Sequence, residues 1–180
     1  MKKLSFVLFI ASMFFSTNVF AQEQGDMAIG GNLIMAGDKT KLYGVGAKFQ
    51  YNMFSKIRLD GSFSFFLPKK EKHEFPGGSI ETTLGMWNFS ANVHWLIGRN
   101  NFKFYPLAGF GIAGLSAKVS AMGESDSANE SYRGFNLGAG IEYILSETLA
   151  INFEYRELIV NSGTMMHAML GLSYKLNSGY

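Results

Sequence analysis

Three histidines, His73, His94 and His167, are where acid–base or metal chemistry would begin in this chain. On an extended strand, residues two apart point the same way, so a His-x-Ser pair would set a base beside a nucleophile. The residues two positions on are Phe75, Leu96 and Met169, and none is a nucleophile. His73, Ser79 and Asp126 supply one member each of a triad, but they come from polar segments where such a trio arises by chance. Glu71, His73 and Glu74 belong to the mixed-charge stretch "PKKEKHEF", whose charges keep it solvated. Glu124, Asp126 and Glu130 form an acidic stretch without the ligand spacing of a calcium loop. The glycines of "GFGIAG" (109–114) open no helix and so form no nucleotide cradle. No catalytic, cofactor-binding or metal-binding residue is therefore assigned.

A second set of charges is more informative. Lys48, Arg58, Asp60, Glu142, Glu154, Arg156 and Lys175 fall on the polar or glycine-rich face of stretches whose other face is apolar. Isolated charges of both signs can make an ion gate or proton path, or a structural plug of ion pairs. The plug is the expectation, because a buried charge needs a partner. Lys48 is expected near Asp60, and Glu154 and Arg156 beside Gly138 and Gly140, which leave room for long side chains.

The elements carrying these charges have a period of two. In "LYGVGAKFQYNMF" (42–54), Tyr43, Val45, Ala47, Phe49, Tyr51 and Met53 alternate with Gly44, Gly46, Lys48, Gln50 and Asn52. The same alternation runs through 57–67, 87–95, 136–143, 149–156 and 167–176. Two less regular segments, 27–36 and 102–116, are read as strands with Met27, Ile29, Leu33, Met35, Phe104, Ala108, Phe110 and Ile112 on the apolar face. Pro106 removes a ladder donor there. That makes eight strands, each with one apolar and one polar or glycine-rich face. Short turns fall near 54–55, 98–101 and 146–148. Opposite them lie 37–41, a link near 161–163, and two loops expected at 68–79 and 118–131.

The N-terminus sets the compartment. Lys2 and Lys3, the apolar "LSFVLFIASMFF" and the small residue closing "VFA" read as a secretory signal peptide, residues 1–21, cleaved after Ala21. Residues 22–180 then form one domain. Without the signal the chain has fourteen basic and fourteen acidic residues, which gives no electrostatic case for nucleic acid. There is no cysteine, so neither a disulfide nor a lipoprotein anchor is available.

The bulky apolar face cannot line the bore of a small barrel, which has room only for modest side chains. Turned outward into lipid, with Gly, Ser, Asn and a few long charges inside, it fits a closed transmembrane ladder. Tyr51, Trp95, Tyr143 and Tyr174 lie near the short turns and are expected to form an interfacial aromatic girdle. The fold class is thus all-β: an eight-stranded antiparallel up-and-down transmembrane β-barrel.

"NFKFYPLAGFGIAG" (101–114), "FNLGAGIEY" (135–143), "LAINFEYRELI" (149–159) and "MLGLSYKL" (169–176) resemble the small outer-membrane barrels of OmpA transmembrane-domain and OmpX type, in particular the porin-like barrel family of Bacteroidetes. The resemblance spans the mature chain and implies location in the outer membrane, with termini and short turns periplasmic. It implies a monomer surrounded by outer-membrane lipid and lipopolysaccharide, inserted by the barrel assembly machinery, with loops open to an extracellular partner. The closing segment is similar to the C-terminal assembly signal, with Tyr180 as terminal aromatic, although "NSG" intervenes after Leu176. The expected role is non-enzymatic and cofactor-free: envelope structure or surface interaction such as adhesion. The alternatives are a narrow, low-conductance porin-like channel and an enzyme acting on outer-leaflet lipid.

Overall fold

A computed structural model describes residues 24–37, 41–75, 78–99, 101–121 and 124–176. Residues 1–21 and Tyr180 therefore lie outside the described residues. The strands are β1 (Met27–Ala36), β2 (Leu42–Phe54), β3 (Ile57–Phe75), β4 (Gly78–Trp95), β5 (Ile97–Arg99), β6 (Phe102–Ala121), β7 (Glu124–Ile144), β8 (Leu149–Val160) and β9 (Gly163–Leu176). Neighbours pair antiparallel in chain order, β9 pairs β1, and β4 pairs β6, which closes the barrel. β4 and β5 are two parts of one barrel strand, so the wall has the eight strands expected. The interruption falls at Leu96, opposite Tyr105 and Pro106. Proline has no N–H to give the ladder on the β6 side, while on the β3 side the Leu96 N–H continues the register and donates to the Lys56 carbonyl (2.8 Å).

Cross-strand partners from Met27 run through Tyr51, Leu59, Val93, Ala108, Leu137 and Glu157 to Met166. The Met166 carbonyl accepts the N–H of Gly37 (3.0 Å), so one circuit climbs from residue 27 to residue 37 of the first strand. Gly37 turns out of β1 with φ 90°, a conformation glycine adopts without strain. A climb of ten residues over eight strands tilts the strands by about 40°.

The apolar face points outward, as its bulk requires. Phe49, Phe63, Phe89, Phe110, Leu137, Phe153 and Leu170 are all exposed. The outward assignment also holds in the two irregular segments, with Ile29, Leu33, Phe104 and Phe110 exposed. With a rise near 3.3 Å per residue and that tilt, Tyr51, Trp95, Tyr143 and Tyr174 fall within about 4 Å of one axial level. Tyr43 and Trp87 stand about 20 Å higher by the same geometry. Among the described residues between those levels, the one Asp, Glu, Lys or Arg on the outer face is Glu157, which accepts a hydrogen bond from the Tyr155 hydroxyl (2.8 Å).

The upper end departs from the sequence expectation. Residues 68–79 and 118–131, expected as loops, are strand for nearly their whole length. Glu74 pairs with Ser79, and Val119 with Asp126. Residues 68–72 and 126–131 are exposed or half-exposed on both faces, so polar side chains there carry no period to read. β3, β4, β6 and β7 thus rise as a four-stranded wall above the rim that β1, β2, β8 and β9 reach.

Candidate functional site: the filled lumen and the wall above it

Every second residue of each strand points into the bore, and the lower part of that set is mostly polar, with Leu96 and Leu107 packed beside Tyr105. Arg58 donates from Nη1 and Nη2 to both carboxylate oxygens of Glu142 (2.8 and 2.9 Å), and from Nε to Asn52 Oδ1 (3.2 Å). Both members of this ion pair are 2% exposed, so it is a two-pronged contact in nearly dry surroundings. Glu154 lies 3.5 Å from Arg156 Nη1 and accepts from the Tyr105 hydroxyl (3.2 Å). Arg156 also reaches Ser62 (3.2 Å) and Asn88 (3.1 Å), spanning the bore. Lys48 donates to Asn152 Oδ1 (2.5 Å), whose amide donates to Ser173 (3.1 Å). Asp60 receives longer contacts from Gln50 (3.4 Å) and Asn92 (3.5 Å). Asn136 donates to Asn92 (2.8 Å).

The seven predicted charges are all on the inner face. Lys48 stands across the ladder from Ser62, with Asp60 the next inner-face residue of β3, and its hydrogen bond crosses the bore to β8. Glu154 and Arg156 do pair, and they stand opposite Gly140 and Gly138. The space over Gly140 is taken by the Tyr105 ring, which an added Cβ would strike, so this glycine admits a tyrosine from β6 as a partner for Glu154. Lys175 sits at the lower rim and pairs with Asp26 (2.8 Å), apart from the hydrogen-bonded clusters above it.

Sequence reasoning missed Lys103, Tyr105 and Asp26 as inner-face groups, and it tested His94 and His167 only for catalysis. Parity along β6 carried the signal for the first two: Phe104 outward puts Lys103 and Tyr105 inward. His94 stacks on Tyr105, with centroids 4.6 Å apart and planes 11° from parallel. His167 lies against Phe66. Among the described residues no group of three His, Cys, Asp or Glu side chains could hold a metal.

Above the polar lattice the inner face changes character. Ile34, Ala36, Leu42, Phe66, Met86, Ala113, Leu158 and Met169 form one buried apolar cluster inside the upper bore, flanked by Leu115, Val160 and Met165. These are inner-face residues by parity, and they meet because eight strands converge on a lumen a few side chains wide.

On the wall, Lys69 pairs with Glu71 (2.9 Å) and Lys70 with Glu81 (3.2 Å), all four well exposed. The Tyr132 hydroxyl is hydrogen-bonded to Glu130, which raises its pKa. Among the described residues, the β2–β3 ladder ends at the Gly44–Phe66 pair and the β7–β8 ladder at Phe135–Ile159, while β3 and β7 run on above these pairs.

No curated protein matches the sequence. Among solved structures, the chain is similar to Ail, the attachment invasion locus protein of Yersinia pestis, with 19% identity and a TM-score of 0.59 over 86% of this chain and 100% of that one. It is also similar to OprG of Pseudomonas aeruginosa (13% identity, TM-score 0.58, 89% and 100% covered). Neisserial surface protein A is a third likeness (13%, 0.54, 86% and 98%). At these identities the likeness is one of fold. Residues 7–177 match the family described as outer membrane protein beta-barrel domain, nearly the whole chain, and the protein belongs to that family of outer-membrane β-barrels.

Proposed function

We propose that this barrel works at the cell surface as a non-enzymatic interaction protein, with a plugged lumen and its contact surface on the tall wall of β3, β4, β6 and β7. The observation that carries the reading is that β3 and β7 run on above their last ladder pairs with β2 and β8 among the described residues, so that each forms an edge of the wall. A free edge can accept an added strand, with main-chain bonds for affinity and alternate side chains for specificity. The two edges are not equivalent. Pro68, Lys69, Lys70 and Lys72 blunt the β3 edge in the way edges are protected from pairing. The β7 edge has no proline and presents Asp126 and Glu130.

The orientation belongs to the same proposal. A cleaved signal peptide and an even strand number put both termini and the short turns in the periplasm, the wall outside, and the outer face against lipid and lipopolysaccharide. Ail has been solved with the heparin analogue sucrose octasulfate, which supports surface ligand contact on a barrel of this fold. The apolar cluster across the upper bore counts against a channel.

The test trims the wall. Replacing residues 118–127 by Asn-Gly closes β6 and β7 as a two-residue hairpin at the Ala117–Ala128 pair. Attachment of expressing cells to matrix-protein surfaces should fall, while heat-modifiable gel migration still reports a folded barrel. Unchanged attachment by the trimmed protein would end the wall's assignment. Trypsin added to intact cells should cut within 68–79, and cleavage at Lys56 or Arg99 would invert the orientation.

A further inference from the structure

The two faces of the wall differ in charge. On the β6–β7 hairpin, Glu130 pairs with Leu115 and Asp126 with Val119, which share the inner-face parity of Ala113. Lys118 and Arg133 have the opposite parity, that of the exposed Phe110 and Phe135, and point outward. Both are exposed, and among the described residues no ion pair or hydrogen bond engages either side chain. Thr83 of β4 pairs with Lys118 on one side and with Lys70 of β3 on the other. It shares the outward parity of Trp87, so two lysines flank a threonine on the outer face, about 10 Å apart across three strands. Lys70 also holds Glu81 in an exposed pair (3.2 Å), which contributes little and is open to exchange.

These cations stand where the headgroups of a bilayer begin. By the same rise and tilt as before, Arg133 lies within about 2 Å of the Trp87 level, and Lys70 and Lys118 about 7 and 13 Å higher. Below them the outer face is aromatic. The Trp87 ring lies across Gly114 of β6, where an added Cβ would strike the indole, and Phe63 stacks on it with centroids 6.5 Å apart. Lower still, roughly 10–13 Å beneath Trp87, Gly61, Ala91 and Ala108 floor a dent of about 960 Å³ between Phe49, Phe110 and Leu137. That depth is near the middle of a hydrocarbon band about 25 Å tall. The dent is apolar and opens on the lipid side, which suits a hydrocarbon chain.

We infer that the outer face of β3, β4, β6 and β7 seats a phosphorylated lipid of the surrounding leaflet. Lys118, Arg133 and Lys70 hold its phosphates, and an acyl chain runs over Phe63 and Trp87 into the dent. The cations continue the lipid-facing belt upward, so headgroup and chain contacts lie on one surface. A soluble polyanion would meet the cations alone and leave the dent empty. The inference rests on the orientation proposed above, which makes this leaflet the outer one and the lipid a phosphorylated glycolipid.

Hexa-acylated lipid A carrying two phosphates is the probe. The protein, folded in maltoside micelles, is titrated with it, and bound lipid is counted by native mass spectrometry. Saturable retention of one copy is expected. Lys118→Gln with Arg133→Gln should weaken retention about thirtyfold, the weight of two cation–phosphate contacts. Lys56→Gln, at the opposite end, should leave it unchanged. Ala91→Phe fills the dent and should weaken retention several-fold with every cation in place. Galactosyl diacylglycerol, which has chains and no phosphate, should not be retained, and a heparin fragment should not displace lipid A. Heat-modifiable migration checks that each variant is folded. Retention that never saturates, or that is unchanged in the Lys118 and Arg133 double variant, would overturn the phosphate seat, as would equal retention of the galactolipid. Displacement by the heparin fragment would replace the lipid with a soluble polyanion, and full retention by Ala91→Phe would remove the dent from the site. Micelle binding is independent of orientation, and the double variant keeps the wall strands, so lipid retention and cell attachment fail separately.

Discussion

The lower and upper parts of the lumen are closed by opposite means. Below, Arg58, Glu142, Glu154, Arg156, Lys48 and their amide and hydroxyl partners fill the bore with directed bonds. Above, Phe66, Met86, Leu158, Ile34 and Leu42 fill it with packed hydrocarbon. Either filling blocks passage, but they respond differently to change. A lattice of buried charges is vulnerable to the loss of one partner and tolerant of the loss of both. A packed cluster loses stability in proportion to the volume removed.

The largest effect is expected where one charge is stranded. Glu142→Gln leaves Arg58 buried without its two-pronged partner. Breaking a buried pair in this way costs about 3–5 kcal/mol. The double change Arg58→Met with Glu142→Leu removes both charges of the pair together and should cost less than Glu142→Gln alone. Urea unfolding in lipid vesicles measures all the variants. A double mutant as weak as the sum of its singles would mean that the lower half behaves like the upper.

In the apolar half, Leu158→Ala should cost about 2–5 kcal/mol, set by the cavity left behind. Leu158 is fully buried in the cluster, and an added Cβ on Gly111 would strike it, so it has no slack to take up. No second residue restores the loss, in contrast to the charged half. Single-barrel conductance in planar bilayers sharpens the contrast. Neutralising Glu154 should leave the barrel silent while the cap holds, and conductance from that change alone would make the lattice the real gate.

Both halves presuppose that the other face meets lipid. Phe49→Arg places a charge on that face at a cost of about 2–4 kcal/mol near the midplane. Gln50→Arg, one residue along and inside, should be tolerated better because polar partners surround it. Equal loss of heat-modifiable migration in the two variants would remove the distinction between faces.

Most of this architecture was legible in the sequence because lipid and a narrow lumen impose a period of two on every membrane-crossing strand. Phe49 and Lys48 could be assigned to opposite faces from parity alone. Parity gives the face and not the partner. Lys48 reaches Asn152, 104 residues away in sequence, because ring closure with its ten-residue climb sets that contact. The apolar cap was hidden because Phe66, Met86 and Leu158 break the rule that inner residues are polar. The wall was hidden because above the bilayer neither face of a strand needs a period.

The smallest predicted effect separates the faces by a single methyl group. Gly61 is on the outer face of β3, where an added Cβ would meet nothing within 4 Å and its φ lies outside the glycine-favouring region. Gly61→Ala should stabilise by about 0.4–1 kcal/mol, mainly by restricting the unfolded chain. Gly140 is the inner counterpart, and its Cβ would fall 2.3 Å from the Tyr105 ring. Gly140→Ala must push that ring away from Glu154 and His94, leaving the Glu154 carboxylate with one fewer donor inside the lattice. The two substitutions therefore carry opposite signs, although each adds one methyl to a strand glycine. Chevron or equilibrium unfolding of both in the same vesicles decides the matter. Stabilisation by Gly140→Ala would show that the bore near Tyr105 is loose, and the lower lattice would then be a set of separate contacts with no packed structure of its own.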